Sequence, residues 1–174
     1  MKNLVLVGFM GSGKTSAGRI AAPRLGLTFV DMDAVLESRL GQTIAKVFET
    51  KGEAFFRENE RALAQELAAK SDQVIATGGG IVLNPDNLRD FSRTGLVVCF
   101  WISPEAAFKR TKRSKKRPLL EGDTDRRARL EALLKQREPL YRAIPHQIDV
   151  SAMTERQQAD VIERIYRQHA RRRS

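Results

Sequence analysis

Cysteine is almost absent from this 174-residue sequence: Cys99 stands alone, within the apolar run 96–102. A disulfide needs two cysteines and a cysteine-based metal cluster needs several, so neither kind of framework is available. Long hydrophobic runs are missing too, because no stretch approaches the ~20 apolar residues of a membrane span. The N-terminus enters an apolar strand pattern directly, which leaves no room for a signal peptide. We therefore expect one globular domain spanning residues 1–174, monomeric and cytoplasmic, without a membrane partner.

Acidic residues are in deficit, and aromatic residues are few. Lysine and arginine number 31 against 21 aspartates and glutamates, which gives a formal charge of +10. Such an excess can indicate nucleic-acid binding. However, the basic residues crowd into 109–117 and 171–173, and no aromatic side chains interleave with them to stack on bases. A triphosphate is a nearer partner for the first cluster, so we expect no nucleic-acid partner and keep that function as the alternative from another class.

A complete phosphate-binding motif lies near the N-terminus. Residues 8–15 read G-F-M-G-S-G-K-T, after an apolar strand pattern at 3–7 and before helical periodicity at 14–25. Strand, loop and helix are the context that this motif requires. Glycines let the backbone N–H groups approach phosphate oxygens closely, and the helix N-terminus favours the same anion. Lys14 can then reach the β- and γ-phosphates and Thr15 can hold Mg²⁺, so the sequence predicts binding of a nucleoside triphosphate.

Strand and helix patterns alternate along the whole chain. Strands are predicted at 4–7, 28–30, 73–76, 96–102 and 147–150. Helices are predicted at 14–25, 33–40, 43–50, 53–70, 85–91, 104–112, 124–141 and 154–170. This alternation predicts an α/β fold, a five-stranded parallel sheet with helices on both faces. Two segments interrupt it: a helical insertion at about 33–70, and a basic segment at about 112–124 that suits a mobile lid over the nucleotide.

Two carboxylates follow the second predicted strand. Asp31 and Asp33 lie at the strand end where open α/β sheets place their ligands. One could support the waters of Mg²⁺ and the other could take a hydroxyl proton, although Asp33 could equally cap a helix beginning at Ala34. The third strand ends without an aspartate and runs into Gly78-Gly79-Gly80, where the main chain can lie against a ligand. Asp31 is therefore the candidate for the metal-side carboxylate.

Three arginines are candidates for binding anionic groups. Arg57 and Glu60 are three residues apart on a predicted helix, so they can meet on one face, either as an exposed ion pair or as an arginine fixed for a substrate carboxylate. Arg117 ends the basic segment and could act on the transferring phosphoryl group. Arg137 lies near the end of a predicted helix. Arg57, Arg137, the glycines and an aspartate suggest an acceptor with one carboxylate and several hydroxyls.

Together these motifs resemble the shikimate kinase family. The resemblance rests on residues 8–15, Asp31-Met32-Asp33, Gly52-Glu53 with Phe56-Arg57 and Glu60, Gly78-Gly79-Gly80, Arg117-Pro118-Leu119-Leu120, and Arg137 before Pro139-Leu140-Tyr141. They occur in the family's order over about residues 1–155. The tail 166–174 lies outside the resemblance and is expected to be a frayed, basic helix end. The phosphate loop is common to many NTPases, whereas the combination is specific.

The resemblance implies a P-loop kinase fold, ATP as co-substrate, Mg²⁺, and phosphorylation of the 3-hydroxyl of shikimate. It implies catalytic roles for Lys14, Asp33 and Arg117. It implies an ATP site formed by Gly11, Ser12, Gly13, Lys14, Thr15, Ser16, Arg113 and Arg117. It implies that Thr15 and Asp31 serve the metal, and that shikimate contacts Asp33, Arg57, Gly79, Gly80 and Arg137.

Two details depart from the family pattern or stay open. Either Arg110 or Arg113 would stack on adenine, and Arg113 is favoured. The stretch 151–154 carries no arginine before Arg156, so backbone groups would make its contacts with adenine. The rival enzymes are other small P-loop kinases, for gluconate or a nucleoside monophosphate.

Overall fold

A five-stranded parallel sheet, with strand order β2-β3-β1-β4-β5, organises the protein. The computed structural model describes residues 2–111 and 126–171. Its strands are β1 Asn3–Gly8, β2 Thr28–Asp31, β3 Gln73–Ala76, β4 Gly95–Trp101 and β5 His146–Asp149. Its helices are α1 Lys14–Leu25, α2 Met32–Leu40, α3 Ile44–Ala68, α4 Pro85–Thr94, α5 Pro104–Thr111, α6 Arg126–Arg142 and α7 Glu155–Arg171, with a 3₁₀ turn at Ile81–Leu83. The predicted fold class is confirmed.

The central strand explains why helices cover both faces of the sheet. All residues of β1 are buried, and β1 pairs with β3 on one side and β4 on the other. Successive side chains of a strand point to opposite faces, so burial of every one requires cover on both. Helices α1 and α7 pack against each other, and α4 contacts β4 and β1.

The helical insertion is shaped by one glycine. Sequence periodicity predicts two helices at 43–50 and 53–70, and the structure joins them into α3 with non-helical geometry at Gly52 (φ 83°, ψ 168°). Glycine adopts this left-handed backbone without the steric cost that other residues incur. The bend lies just before the segment that carries Glu53, Arg57 and Glu60.

The C-terminal helix corrects one expectation. The helix predicted at 154–170 is present as α7, and the expected fraying of the tail from residue 166 is wrong at Tyr166, which is 5% exposed. Its hydroxyl donates a hydrogen bond to the carbonyl of Lys2 over 2.5 Å, which ties the last helix to the start of the chain. The hydrophobic face of the helix, including Ile162, is buried and holds it in place.

The predicted lid, about 112–124, and its residues Arg113 and Arg117 lie outside the described residues. Within the described ranges, no helix is long and apolar enough to cross a bilayer.

Candidate active site

The phosphate loop connects β1 to α1 at the carboxyl edge of the sheet. Gly11 and Gly13 have φ of 79° and 92°, a left-handed backbone that favours glycine. Lys14 begins α1, and the first turn of this helix carries no acidic side chain. The first N–H groups of a helix lack intrahelical partners and attract anions. The loop is therefore built to receive a phosphate group.

Lys14 is held inside this loop. It is 8% exposed, and its Nζ donates to the carbonyl oxygens of Gly8 (2.8 Å) and Phe9 (3.1 Å) and to Ser12 Oγ (3.3 Å). These acceptors hold the ammonium group against the phosphate loop. Its three N–H donors thus lie where they can reach an anion bound at the loop.

Thr15 and Asp31 meet across the sheet edge. Thr15 Oγ1 donates to Asp31 Oδ2 over 2.8 Å, while Asp31 Oδ1 accepts from the backbone N–H of Ala34 at 3.2 Å. Asp31 is consequently the N-cap of α2, and the alternative that Asp33 caps a helix beginning at Ala34 is wrong. Asp33 instead lies in the first turn of α2 and lines a cavity beside the phosphate loop, which we call the central cavity.

Three glycines bring the main chain against the charged groups of the site. A Cβ at Gly78 would lie 2.8 Å from Asp33 Oδ1, and one at Gly80 would overlap the Arg57 guanidinium. At Gly79 the nearest atom would be the backbone nitrogen of Met10, at 3.5 Å. The strip predicted from sequence thus passes between Asp33, Arg57 and the phosphate loop.

Arg57 is fixed by two glutamates on its own helix. Its Nη1 lies 2.9 Å from Glu60 Oε2, and its Nη2 lies 2.9 Å from Glu53 Oε1. Glu60 is 2% exposed. Burial raises the pKa of Glu60, although the charge of Arg57 acts in the opposite direction. Desolvation would lower the pKa of Arg57, but Glu60 and Glu53 together raise it. The predicted Arg57–Glu60 pair is present, and Glu53 adds a second anchor.

Arg137 projects from α6 toward the same glycines. It is 5% exposed, and its Nη1 lies 3.5 Å from the carbonyl oxygen of Gly79. One turn later on the helix, Tyr141 donates its hydroxyl to that carbonyl over 2.6 Å. Burial raises the pKa of Tyr141, so the hydroxyl keeps its proton as a donor. No carboxylate lies within ion-pair distance of Arg137 in the described ranges.

Arg110 links the phosphate loop to the segment after β5. Its Nη2 donates to the carbonyl oxygens of Val150 (2.9 Å) and Met153 (3.0 Å), and its Nη1 lies 3.4 Å from that of Gly11. Arg110 also lines the central cavity together with Met153, Thr154 and Glu155. Of the two arginines considered for adenine, Arg110 therefore lies at the cavity, and Arg113 is outside the described residues.

The central cavity, of about 680 Å³, lies against the phosphate loop, and Arg57, Gly80 and Arg137 are not among its lining residues. Its lining combines the phosphate loop, Asp33, Thr77, Gly79, Arg110 and part of α7. The cavity is of the size of a small-molecule site. The sequence motifs include Glu53 and Tyr141 but assign them no role, although the i, i+4 spacing of Glu53 to Arg57 was readable. Gln158 was missed, because its contacts depend on tertiary packing.

A phosphate loop after β1, an aspartate at the end of β2 and a helical insertion on a parallel sheet define a P-loop kinase. The family model for shikimate kinase matches residues 10–169. The shikimate kinase of Pelotomaculum thermopropionicum is 42% identical over 170 residues, covering 97% of this chain and 98% of the relative. The chain thus belongs to the shikimate kinase family, and its reaction is the transfer of a phosphoryl group from ATP to shikimate.

Solved structures agree with this placement. The shikimate kinase of Acinetobacter baumannii, in complex with shikimate, superimposes with a TM-score of 0.89 at 35% identity, covering 99% of this chain and 94% of that one. A gluconokinase from Sinorhizobium meliloti superimposes with a TM-score of 0.59 at 17% identity, covering 98% and 97%. The second likeness shows the fold alone. The family match also extends past residue 155, where the sequence resemblance was expected to end.

Proposed function

We propose that shikimate binds where Arg57, Arg137 and the 78–80 glycine strip converge, with its 3-hydroxyl directed by Asp33 toward ATP in the phosphate loop. Buried Arg137 carries this proposal. Among the described residues no carboxylate lies within ion-pair distance of this guanidinium, and the charge of Glu60 acts on it from farther away. The carboxylate of shikimate would supply a direct partner. Arg57, held by Glu53 and Glu60 near the same glycines, would be the second donor.

For ATP we propose the backbone of Gly11, Ser12 and Gly13 with Lys14, Thr15 and Ser16. The N–H groups of the loop and of the first turn of α1 would hold the phosphates. Lys14 would exchange its carbonyl acceptors for phosphate oxygens, a stronger, charge-assisted interaction. Arg117 acting on the phosphates and Arg113 on adenine stay predictions, and Arg110 is the described arginine at this cavity.

The residues present also fit Mg²⁺. Thr15 and Asp31 place a hydroxyl and a carboxylate oxygen 2.8 Å apart beside the loop, and Mg²⁺ prefers oxygen ligands while keeping several waters. Among residues 2–111 and 126–171, no group of three or more His, Cys, Asp or Glu could hold a metal by itself. Phosphate oxygens and waters would therefore complete the set. When bound, the ion supplies charge neutralisation at the β- and γ-phosphates.

In the proposed reaction Asp33 would accept a hydrogen bond from the attacking 3-hydroxyl and receive its proton during transfer. Phosphoryl transfer has a loose transition state, so positioning and electrostatic stabilisation do most of the catalysis. Asp33 therefore need not be a strong base. Its carboxylate lies beside Gly78, where the absence of a side chain leaves space for it. We further propose a single domain acting as a cytoplasmic monomer.

The test is ADP release by the purified protein with ATP and Mg²⁺, adding shikimate, gluconate or a nucleoside monophosphate in turn. We expect stimulation by shikimate alone. Lys14→Met should lower kcat at least ~100-fold, because the lost charge matters most in the transition state. Lys46→Met, which removes an exposed lysine on α3, is the matched control. Turnover with another acceptor would refute the substrate assignment, and RNA-dependent hydrolysis alone would favour the nucleic-acid function.

A further inference from the structure

We propose that the side-chain amide of Gln158, near the start of α7, recognises the nucleoside half of ATP. Its Oε1 would accept a hydrogen bond from a donor on the ribose or the base. This inference rests on the ATP site proposed above. Gln158 lines the central cavity with the phosphate loop, Met153 and Thr154. Neither the motifs nor the resemblance points to this position.

The amide of Gln158 is buried and poorly satisfied. The residue is 1% exposed, and its Oε1 has no hydrogen-bond partner among the described residues. Its Nε2 makes only a long contact, 3.5 Å, to the carbonyl oxygen of Met153. Buried polar groups are nearly always paired, since an unpaired one loses its hydration without compensation. A ligand that enters the cavity can supply the missing donor.

The position of Gln158 limits where that donor can be. A Cβ on Gly13 would overlap Gln158 Oε1, so the amide packs directly on the phosphate loop. Arg110 donates to the carbonyl oxygens of Val150, Ser151 and Met153 just before α7, which holds this part of the cavity wall against the loop. Gln158 therefore lies where the phosphate loop meets the wall formed by residues 153–155.

The chemistry of an acceptor oxygen selects one half of the nucleotide. Ionised phosphates carry acceptors only, and an amide oxygen cannot pair with them. The donors of ATP are the ribose hydroxyls and the 6-amino group of adenine. Both belong to the nucleoside, so the shared chemistry is a nucleoside N–H or O–H donor. Analogues lacking one donor at a time distinguish the two sources.

The experiment measures Mg-ADP affinity by calorimetry, together with KM for ATP and for shikimate. Gln158→Met keeps the length of the side chain and removes the amide, and Gln158→Leu provides a second variant of similar size. We expect ADP affinity to fall ~10-fold, which corresponds to about 1.4 kcal/mol. KM for ATP should rise in parallel while KM for shikimate stays within about two-fold. Gln168→Met, at an exposed glutamine on the same helix, is the matched control.

Three analogues identify the donor. Wild-type protein should discriminate against 2′-deoxy-ADP or 3′-deoxy-ADP if a ribose hydroxyl donates, or against purine riboside diphosphate if the 6-amino group donates. The same discrimination should largely disappear in Gln158→Met. Equal ADP affinity in the Gln158 and Gln168 variants would overturn the proposal, as would analogue discrimination unchanged in Gln158→Met. A parallel rise in both KM values would show a merely structural role. Wild-type protein that binds no ADP would instead refute the proposed function.

Discussion

At the scale of single residues, Arg57 and Arg137 differ in how their charges are compensated. Arg57 forms ion pairs with Glu53 and with buried Glu60. Arg137 is more deeply buried, yet its described polar contact is the carbonyl oxygen of Gly79. The first arginine supports the fold as well as the proposed substrate site. The second has no ion pair among the described residues, although its charge lowers the pKa of Glu60, and a bound anion would give it a direct partner.

This difference predicts that the two alanine variants share a kinetic defect and differ in stability. Arg57→Ala and Arg137→Ala should each raise KM for shikimate far more than KM for ATP. Arg57→Ala should also lower the free energy of unfolding by about 2 kcal/mol, because Glu60 is left buried without its cation. Arg137→Ala should change it little or raise it. Steady-state kinetics and urea denaturation measure both effects.

Arg89→Ala, which removes an exposed ion pair with Asp86, is the control for both variants. Equal effects on the two KM values would contradict the carboxylate assignment. Loss of stability in Arg137→Ala alone would show that its charge is compensated inside the protein.

Glu60 adds a pH dependence to the same pair. Burial raises the pKa of Glu60 in the folded protein. At pH values between the pKa in the unfolded chain and this raised pKa, the native state therefore binds more protons than the unfolded state. Stability is then lost as pH rises through this window. Removal of Arg57 takes away the charge that holds the pKa of Glu60 down and widens the window. We expect the stability deficit of Arg57→Ala to be smallest near pH 4 and to grow toward neutral pH.

The check is a series of urea denaturation curves from about pH 4 to 8 for wild-type protein, Arg57→Ala, Glu60→Gln and the double variant. In the Glu60→Gln background the ionisable group is absent, so the deficit caused by Arg57→Ala should be nearly independent of pH. A deficit that shrinks as pH rises would contradict the assignment.

At the scale of elements, the strands and most helices follow from local patterns. All residues of β1 and β3 are buried, and their near-continuous apolar sequences are typical of strands covered on both faces. The ends of α1 are marked by Gly13 and by Gly26, both in left-handed conformation. Such signals lie within a few residues of the element they define, so they are readable in one sequence.

Other features depend on packing between distant segments. The contact of Arg137 with Gly79 joins residues 58 positions apart, and the hydrogen bond from Tyr166 to Lys2 spans 164 positions. No local pattern encodes either one. The phosphate loop, the aspartates and the glycine strip could be proposed as one site because each follows a parallel strand at the same edge. The burial of Arg137 and Gln158 could not be predicted from such a local pattern.

The turn after β3 provides a test at this scale. Neither Gly79 nor Gly80 has positive φ, so alanine adds no left-handed strain at either position. At Gly80 the methyl group would overlap the Arg57 guanidinium, which can move aside because it ends a flexible side chain. We expect Gly80→Ala to raise KM for shikimate ~10-fold or more with little loss of stability, since a small misplacement of a substrate-binding group is costly.

Gly79→Ala is the comparison that separates displacement of Arg57 from a general effect of a methyl group on the glycine strip, because its methyl group would face the backbone of the phosphate loop and not Arg57. Combining Gly80→Ala with Arg57→Ala decides the cause. If Gly80→Ala acts through Arg57, the double variant should be no worse than Arg57→Ala alone. Additive effects on KM would show that Gly80 contacts shikimate independently.

At the scale of the whole molecule, the formal charge of +10 is the dominant property. It favours association with anions in general, and both substrates are anionic. A net field of this kind accelerates encounter and loses strength as salt screens it, without changing the bound geometry. ATP carries more negative charge than shikimate. We therefore expect the charge excess that first suggested nucleic acid to act on the association rates of the two substrates.

Salt should therefore act on association rather than on chemistry. Between about 0.02 M and 0.5 M NaCl, kcat/KM for ATP should fall ~5-fold or more, that for shikimate less, and kcat little. Arg164→Gln with Arg171→Gln removes two exposed charges from α7, away from the described site. This variant should lower kcat/KM for ATP at low salt only, where the Debye length is longest. If the charges around the phosphate loop alone caused the salt dependence, the variant would have the same kcat/KM for ATP as wild-type protein at every salt concentration. A fall in kcat itself would place the salt effect on a bound state and exclude steering as its cause.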